Sequence, residues 1–291
     1  MTPLPIDPHI PGALSALAGD GALVLTADPG AGKSTRLPPA IAEQARGEVL
    51  LLQPRRIAAR SLAARIAQER GWRLGGEVGY AVRHERVGGR DTRLWVITEG
   101  LLTRRLADDP LLEGVDCVIL DEFHERSLHA DLALAWCAQL RRELRPDLRL
   151  CVMSATMDPT PIAAFLGRAT VMPVAAPRYP VELAEGRSGD VRNLAERVAE
   201  CVTREAARAA AGDILVFLPG AGEIRGCAAA LGGRDDLAVM PLHGALPPDE
   251  QDAALRPADR RKVVLATNVA ETSLTIPGVR TVIDAGLQRI N

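Results

Sequence analysis

Short, nearly continuous apolar runs alternate along this chain with longer stretches in which apolar residues recur at helical spacing. "ALVLT" (22–26), "EVLLLQ" (48–53), "RLWVITE" (93–99), "DCVILD" (116–121) and "LRLCVMS" (148–154) predict strands covered on both faces. Between them, "RRIAARSLAARIAQERG" (55–71) and "DLALAWCAQLRREL" (131–144) predict helices. Strands alternating with helices give a parallel sheet flanked by helices, the α/β class. "MPVAAPRYP" (172–180) then places three prolines in nine residues and predicts a stiff linker. A second series follows: a helix over roughly 190–211, then "DILVFLP" (213–219), "LAVMPLH" (237–243), "RKVVLAT" (261–267) and "RTVIDAG" (280–286). The pattern predicts two tandem α/β domains of one type, residues 1–174 and 175–291.

Composition narrows this reading without redirecting it. The chain has 291 residues, 47% apolar and 25% charged, the balance of an ordinary globular protein. Aromatics make up 3%, so the cores must be built from Ala, Leu, Val and Ile. The net charge of −2 offers no overall attraction to nucleic acid or anionic lipid. Five cysteines are widely spaced, without a CxxC or a Cys/His cluster, which argues against a metal site or a disulfide framework. No basic start precedes an apolar run and no stretch of 18 apolar residues occurs, so a cytoplasmic protein is expected.

One bias in composition points to chemistry. The chain has 33 arginines and two lysines, and one of those lysines is Lys33, in "TADPGAGKST" (26–35). Between a strand and a helix-like stretch, Gly30 and Gly32 let successive N–H groups face a phosphate at a helix N-terminus. Lys33 would reach the β/γ-phosphates of a nucleotide, and Ser34 would offer a hydroxyl to Mg²⁺. A compact ammonium fits inside such a loop, whereas the broad guanidinium fork does not. A Gly-rich turn with no ligand is the alternative. Downstream, "VILDEFH" (118–124) ends a strand with two carboxylates, where a doubly wound sheet presents groups to a nucleotide. Asp121 would hold hydrated Mg²⁺ and Glu122 would deprotonate the attacking water. A solvated strand end is the plainer account of the pair, and a surface position that of His124.

These two motifs open a series in which the chain resembles the superfamily 2 helicases of the DEAH/DExH class. The series is "ADPGAGKST" (27–35), "QPRRIAA" (53–59), "TEGLL" (98–102), "DEFHERS" (121–127), "SAT" (154–156), "ILVFLPG" (214–220), "PLHGALPP" (241–248) and "ATNVAETSLTIPGV" (266–279). The resemblance implies two tandem RecA-like domains, ATP and Mg²⁺ as cofactors, and single-stranded nucleic acid, RNA above DNA, as partner. By that resemblance Asp28, Gly30, Ala31, Gly32, Lys33, Ser34, Thr35 and Arg65 bind the nucleotide, Ser34 and Asp121 hold the metal, and His124 joins Glu122 and Asp121 in catalysis. Arg55, Arg56, Arg83, Thr98 and Gly100 contact the strand, as do Gly220, His243, Thr267 and Asn268 in the second domain. Ser154, Thr156 and Thr272 couple the two sites, although for "SAT" a strand end with satisfied hydroxyls competes with that role. Residues 53–105 carry twelve arginines against five acids, a local surplus that suits a phosphate-binding face. Solvated arginines on the outer face of the 55–71 helix account for part of it.

The chain departs from the family pattern in four places. Ala27 opens the phosphate motif where glycine is commoner, a minor change. Leu255 stands where relatives stack an aromatic on the nucleobase opposite Arg65, so weak nucleobase selectivity is expected, and Pro277 stands where they place an acid near the ribose, so that sugar contact is not expected. No "QRxGRxGR" arginine-finger motif occurs in the 291 residues, which leads us to expect an N-terminal piece with an incomplete second domain that binds ATP·Mg²⁺ with little turnover. A nucleotide- and RNA-binding module without turnover is therefore the second reading beside an ATP-dependent helicase motor.

Overall fold

The computed structural model describes residues 3–167, 169–177, 180–184, 194–208, 212–271, 274 and 276–287. The chain divides into two compact units, Met1–Tyr179 and Pro180–Asn291. Among the described residues, no helix is long and apolar enough to cross a membrane.

The first unit is built on an eight-stranded sheet. Its strands are β1 (Ala22–Ala27), β2 (Glu48–Gln53), β3 (Val78–Val82), β4 (Glu85–Val87), β5 (Leu94–Thr98), β6 (Val115–Leu120), β7 (Arg149–Ser154) and β8 (Thr170–Val174). They lie in the order β4-β3-β5-β2-β6-β7-β1-β8. All neighbours run parallel except the β3–β4 hairpin. The helices are α1 (Ile10–Gly19), α2 (Lys33–Gln44), α3 (Arg56–Arg70), α4 (Glu99–Asp108), α5 (Leu128–Glu143) and α6 (Thr160–Phe165).

Because side chains alternate along a strand, each apolar run feeds two cores. Leu23 and Leu25 of β1 join Val49 and Leu51 of β2 against Leu17, Ile41 and Ile66 of α1, α2 and α3. Their sequence neighbours Ala22, Val24, Leu50 and Leu52 face the opposite side, against Leu102 and Leu106 of α4 and Leu134 and Cys137 of α5. Ala58, Ala59, Ala63 and Ala67 line the buried side of α3, so small residues take the place that aromatics would fill elsewhere. α2 continues through Pro38 and Pro39, both buried, although each removes an N–H that would have bonded the carbonyl four residues earlier.

The predicted linker over 172–180 is corrected at its start. Residues 170–174 form β8, an edge strand with Leu23 paired to Thr170 and Ala27 to Val174. An edge strand has one unpaired side, so Pro173 is tolerated there without breaking the sheet. Pro177 and Pro180 stand beyond it.

The second unit has a four-stranded parallel sheet, β9 (Asp213–Phe217), β10 (Leu237–Leu242), β11 (Arg261–Ala266) and β12 (Val279–Asp284), in the order β10-β11-β9-β12. α7 (Leu194–Ala207), α8 (Ala221–Ala230) and α9 (Pro248–Leu255) accompany it. Val198, Val202 and Ile224 close a core over Ile214, Val216, Val263 and Leu265. The ends of the predicted 190–211 helix, residues 190–193 and 209–211, lie outside the described residues, as does Thr272.

Candidate nucleotide site and nucleic-acid face

In the first unit every motif loop leaves the sheet at one edge. The registers level the carboxyl ends of the central strands, pairing Thr26 with Ser154, Gln53 with Thr98, and Leu52 with Leu120. The phosphate loop after β1, "PRR" after β2, "EGLL" after β5, "DEFH" after β6 and "AT" after β7 therefore emerge together. Open parallel sheets bind ligands along that edge.

Gly30 and Gly32 take left-handed φ values of 81° and 90°. A Cβ on Gly32 would come within 2.6 Å of Leu4 Cδ1, so a larger residue there would have to displace the Leu4 side chain as well as adopt the left-handed φ. Two further contacts brace the loop. Ile6 N–H donates to the Ala31 carbonyl at 3.1 Å. Asp28 Oδ2 accepts the Ala176 N–H at 3.2 Å, which anchors Asp28 to the chain just past β8. Gly32 is the N-cap of α2, and Lys33 is its first residue. The leading N–H groups of a helix lack intrahelical acceptors and point to where an anion would lie. Ser34 and Thr35 occupy the same turn, with Thr35 Oγ1 donating to the Gly32 carbonyl at 3.5 Å.

Lys33 Nζ lies 2.9 Å from Glu122 Oε1, in a contact that leaves both side chains about one-tenth exposed. Asp121 is buried beside them. Its Oδ1 accepts the Glu122 N–H at 2.9 Å and its Oδ2 accepts from Gln53 Nε2 at 2.6 Å. Glu122 itself has a left-handed φ of 50°, uncommon for a residue with a side chain, at the sharp turn after β6. Burial, reinforced by the Asp121 carboxylate and opposed by Lys33, pushes the Glu122 carboxyl up to about 7. Burial alone would lower the Lys33 ammonium, but the Asp121 and Glu122 charges together outweigh it and hold it above its ordinary value. His124 Nδ1 is 3.5 Å from Glu122 Oε2. Burial, then Lys33, holds this imidazole below its usual range, so it faces Glu122 as a neutral ring at pH 7.

The remaining candidates of the first unit surround this centre. Ser154 is fully buried and its Oγ accepts the Met157 N–H at 3.3 Å, while Thr156 is exposed. Arg55 pairs with Glu125 at 3.4 Å and Arg56 is exposed. Arg83 is exposed at the tip of the β3–β4 hairpin, where His84 takes a φ of 68°. Thr98 is the N-cap of α4, and Gly100 is exposed in its first turn. Arg65 is on α3, half-exposed and paired with Glu69, which also lies 3.5 Å from Arg36. Its partner is thus another helix residue and not the Lys33–Glu122 pair.

In the second unit Gly220 caps α8 after β9, His243 follows β10, and Thr267 and Asn268 follow β11. Leu242 is level with Ala266 and Ala266 with Phe217, so these four also share a carboxyl edge.

Sequence reasoning missed two contributors. Gln53 orients Asp121, and its signal was a polar residue closing an otherwise apolar strand. Glu99 is buried at the start of α4, where it accepts from Ser127 Oγ, and Ser127 in turn caps α5 by accepting the Ala130 N–H at 2.9 Å. This pair ties "TEGLL" to "DEFHERS".

Two family models match: DEAD/DEAH box helicase over residues 11–165 and helicase conserved C-terminal domain over residues 195–289. The chain is 43% identical to the ATP-dependent RNA helicase HrpB of Escherichia coli (strain K12), over 100% of this chain and 36% of that protein. It is 36% identical to the ATP-dependent RNA helicase HrpA of the same organism, over 99% of this chain and 23% of that one. The crystal structure of Escherichia coli DEAH/RHA helicase HrpB matches with a TM-score of 0.86 at 43% identity, covering 99% of this chain and 37% of that chain. The chain thus spans about a third of the HrpB length, 36%.

Proposed function

Because the chain belongs to the DEAD/DEAH box helicase family, we propose that it binds ATP with Mg²⁺ and couples hydrolysis to movement along single-stranded RNA in the cytoplasm. The observation that carries this reading is the contact of Lys33 Nζ with Glu122 Oε1 at 2.9 Å, with Asp121 buried beside it. Glu122 occupies the ammonium that a β/γ-phosphate would claim. When the phosphates enter the loop, Lys33 exchanges carboxylate for phosphate and Glu122 is freed to take a proton from the attacking water. Burial and the Asp121 charge raise the Glu122 carboxyl above the ordinary carboxylate range, which makes it a stronger base for that task. The Ser34 hydroxyl and the Asp121 carboxylate are hard oxygen donors that fit Mg²⁺, with Asp121 held by Gln53. Bound there, Mg²⁺ would neutralise charge on the phosphate oxygens.

Asp28, Gly30, Ala31, Gly32 and Thr35 would shape the cradle, and Arg65 would leave Glu69 to meet the nucleoside. Arg55, Arg56, Arg83, Thr98 and Gly100 take the phosphodiester backbone in the first unit, and Gly220, His243, Thr267 and Asn268 take it in the second. Ser154, Thr156 and Thr272 couple strand to nucleotide, and His124 relays the state of Glu122.

A titration with a fluorescent ATP analogue and Mg²⁺ tests the phosphate site. Wild type is expected to bind and Lys33→Ala to lose binding; unchanged affinity in the variant overturns the reading. RNA-stimulated phosphate release separates a motor from a module that binds without turnover.

A further inference from the structure

The first unit contains a second concavity, of about 510 Å³, walled by α4 and the β3–β4 hairpin. Leu50, Ala81, Ile97 and Leu101 give it an apolar lining. Trp95 lies below, with the Arg86 guanidinium carbon 4.3 Å from its ring centroid. Arg104 and Arg105 line α4 alongside.

Three features favour one occupant. First, the lining of the cavity adjoins two positions that the proposed function assigns to the strand. Val82 and His84, which line it, flank Arg83 at the hairpin tip, and Leu101 follows Gly100. Second, its polar parts are held in place. Trp95 Nε1 donates to Glu48 Oε1 at 3.1 Å, and Arg105 Nη2 is 2.8 Å from Glu48 Oε2. Arg86 is therefore a guanidinium plane backed by a fixed indole, the kind of surface on which a nucleobase stacks. Third, the rim is cationic where a backbone would pass. Arg104 is exposed and carries no ion pair among the described residues. Glu85 accepts from the Tyr80 hydroxyl at 2.5 Å and lies 3.9 Å from Arg60, and Asp108 stands at the end of α4.

We propose that this cavity receives an unstacked nucleobase of the bound strand, with the base against Arg86 and the apolar floor and the adjoining phosphates toward Arg104. It rests on the strand-binding reading above and adds to it a base-dependent contact. The volume admits a nucleotide and lies in the range of small-ligand pockets.

The test compares two fluorescein-labelled 12-mers of equal phosphate number, one of uridines and one of abasic residues, on the full chain. The uridine strand is expected to bind about tenfold more tightly, the effect of one stacked base. Ala81→Phe, which fills the cavity opposite Arg86, is expected to bind both strands with the abasic affinity. Equal affinities in wild type, or a preference that survives Ala81→Phe, overturn the cavity and leave the backbone contacts standing. Failure of both strands to bind wild type overturns both readings. Photo-crosslinking of wild type with a 4-thiouridine strand needs no variant to fold. Crosslinks mapped to Ala81, Arg86, Leu101 or Arg104 support the site, and crosslinks confined to Arg83, Thr98, Gly100 or residues elsewhere overturn it.

Discussion

The two lysines of this arginine-rich chain are both enclosed, and they serve different ends. Lys262 is fully buried, donates to the Arg256 carbonyl at 2.8 Å at the end of α9, and is held below its ordinary pKa by burial. Lys33 meets two carboxylates that no backbone group replaces. A phosphate loop, a metal carboxylate and a base are expected from residue type and order, because each chemistry admits few side chains, and the structure brings Lys33, Asp121 and Glu122 together. What order could not supply was contact: that Glu122 holds Lys33, or that Gln53 holds Asp121. Glu122→Gln is expected to retain ATP·Mg²⁺ binding, measured by the same titration, and to lose whatever phosphate release wild type shows above background, through loss of the base. Loss of binding would mark Glu122 as structural. The same residue sets a pH dependence. The fold raises its carboxyl from 4.5 to about 7, so its contribution to stability is complete below 4.5 and is lost as pH rises through 7. Chemical unfolding should therefore show Glu122→Gln gaining on wild type as pH rises from about 5 to 8.

At the level of elements, the strands with unbroken apolar runs could be read from the chain nearly to the residue, since burial on both faces leaves one interpretation. "EVLLLQ" is β2 without adjustment. The misses have physical causes. β4 is three residues long and half-exposed, too short to show a period. α1 carries Pro11 and Gly12 in its first turn, and β8 carries a proline that an edge strand accepts. Between elements, Ser127 caps α5 and satisfies the buried Glu99 that starts α4. Ser127→Ala removes the cap and leaves a buried carboxyl without its donor, which together cost about 1–3 kcal/mol. Urea unfolding would register the loss, and Ser127→Thr should recover most of it. A Ser127→Ala chain as stable as wild type would mean that the capping contact contributes nothing.

Across the whole molecule, charge is distributed by function more than by sum. A net of −2 conceals twelve arginines against five acids over residues 53–105, and that segment supplies Arg55, Arg56 and Arg83 to the carboxyl edge of the first sheet. Replacing Arg55 and Arg56 by alanine should weaken RNA binding evenly across sequences and flatten its salt dependence by about one unit per lost phosphate contact. An unchanged slope in a salt titration would make them solvated surface. The order of strands carries a last consequence, for the time the protein takes to be made. β1 delivers the phosphate loop, yet its two neighbours are β7 and β8, so Leu23 waits for Cys151 and Thr170. At about 5–20 residues per second the ribosome needs roughly 7–30 s to travel from the loop to the end of β8. During that interval an apolar strand made early has no sheet to join. The site proposed for the nucleotide thus depends on a strand made long after its loop, and a nascent chain halted before residue 149 should bind no ATP.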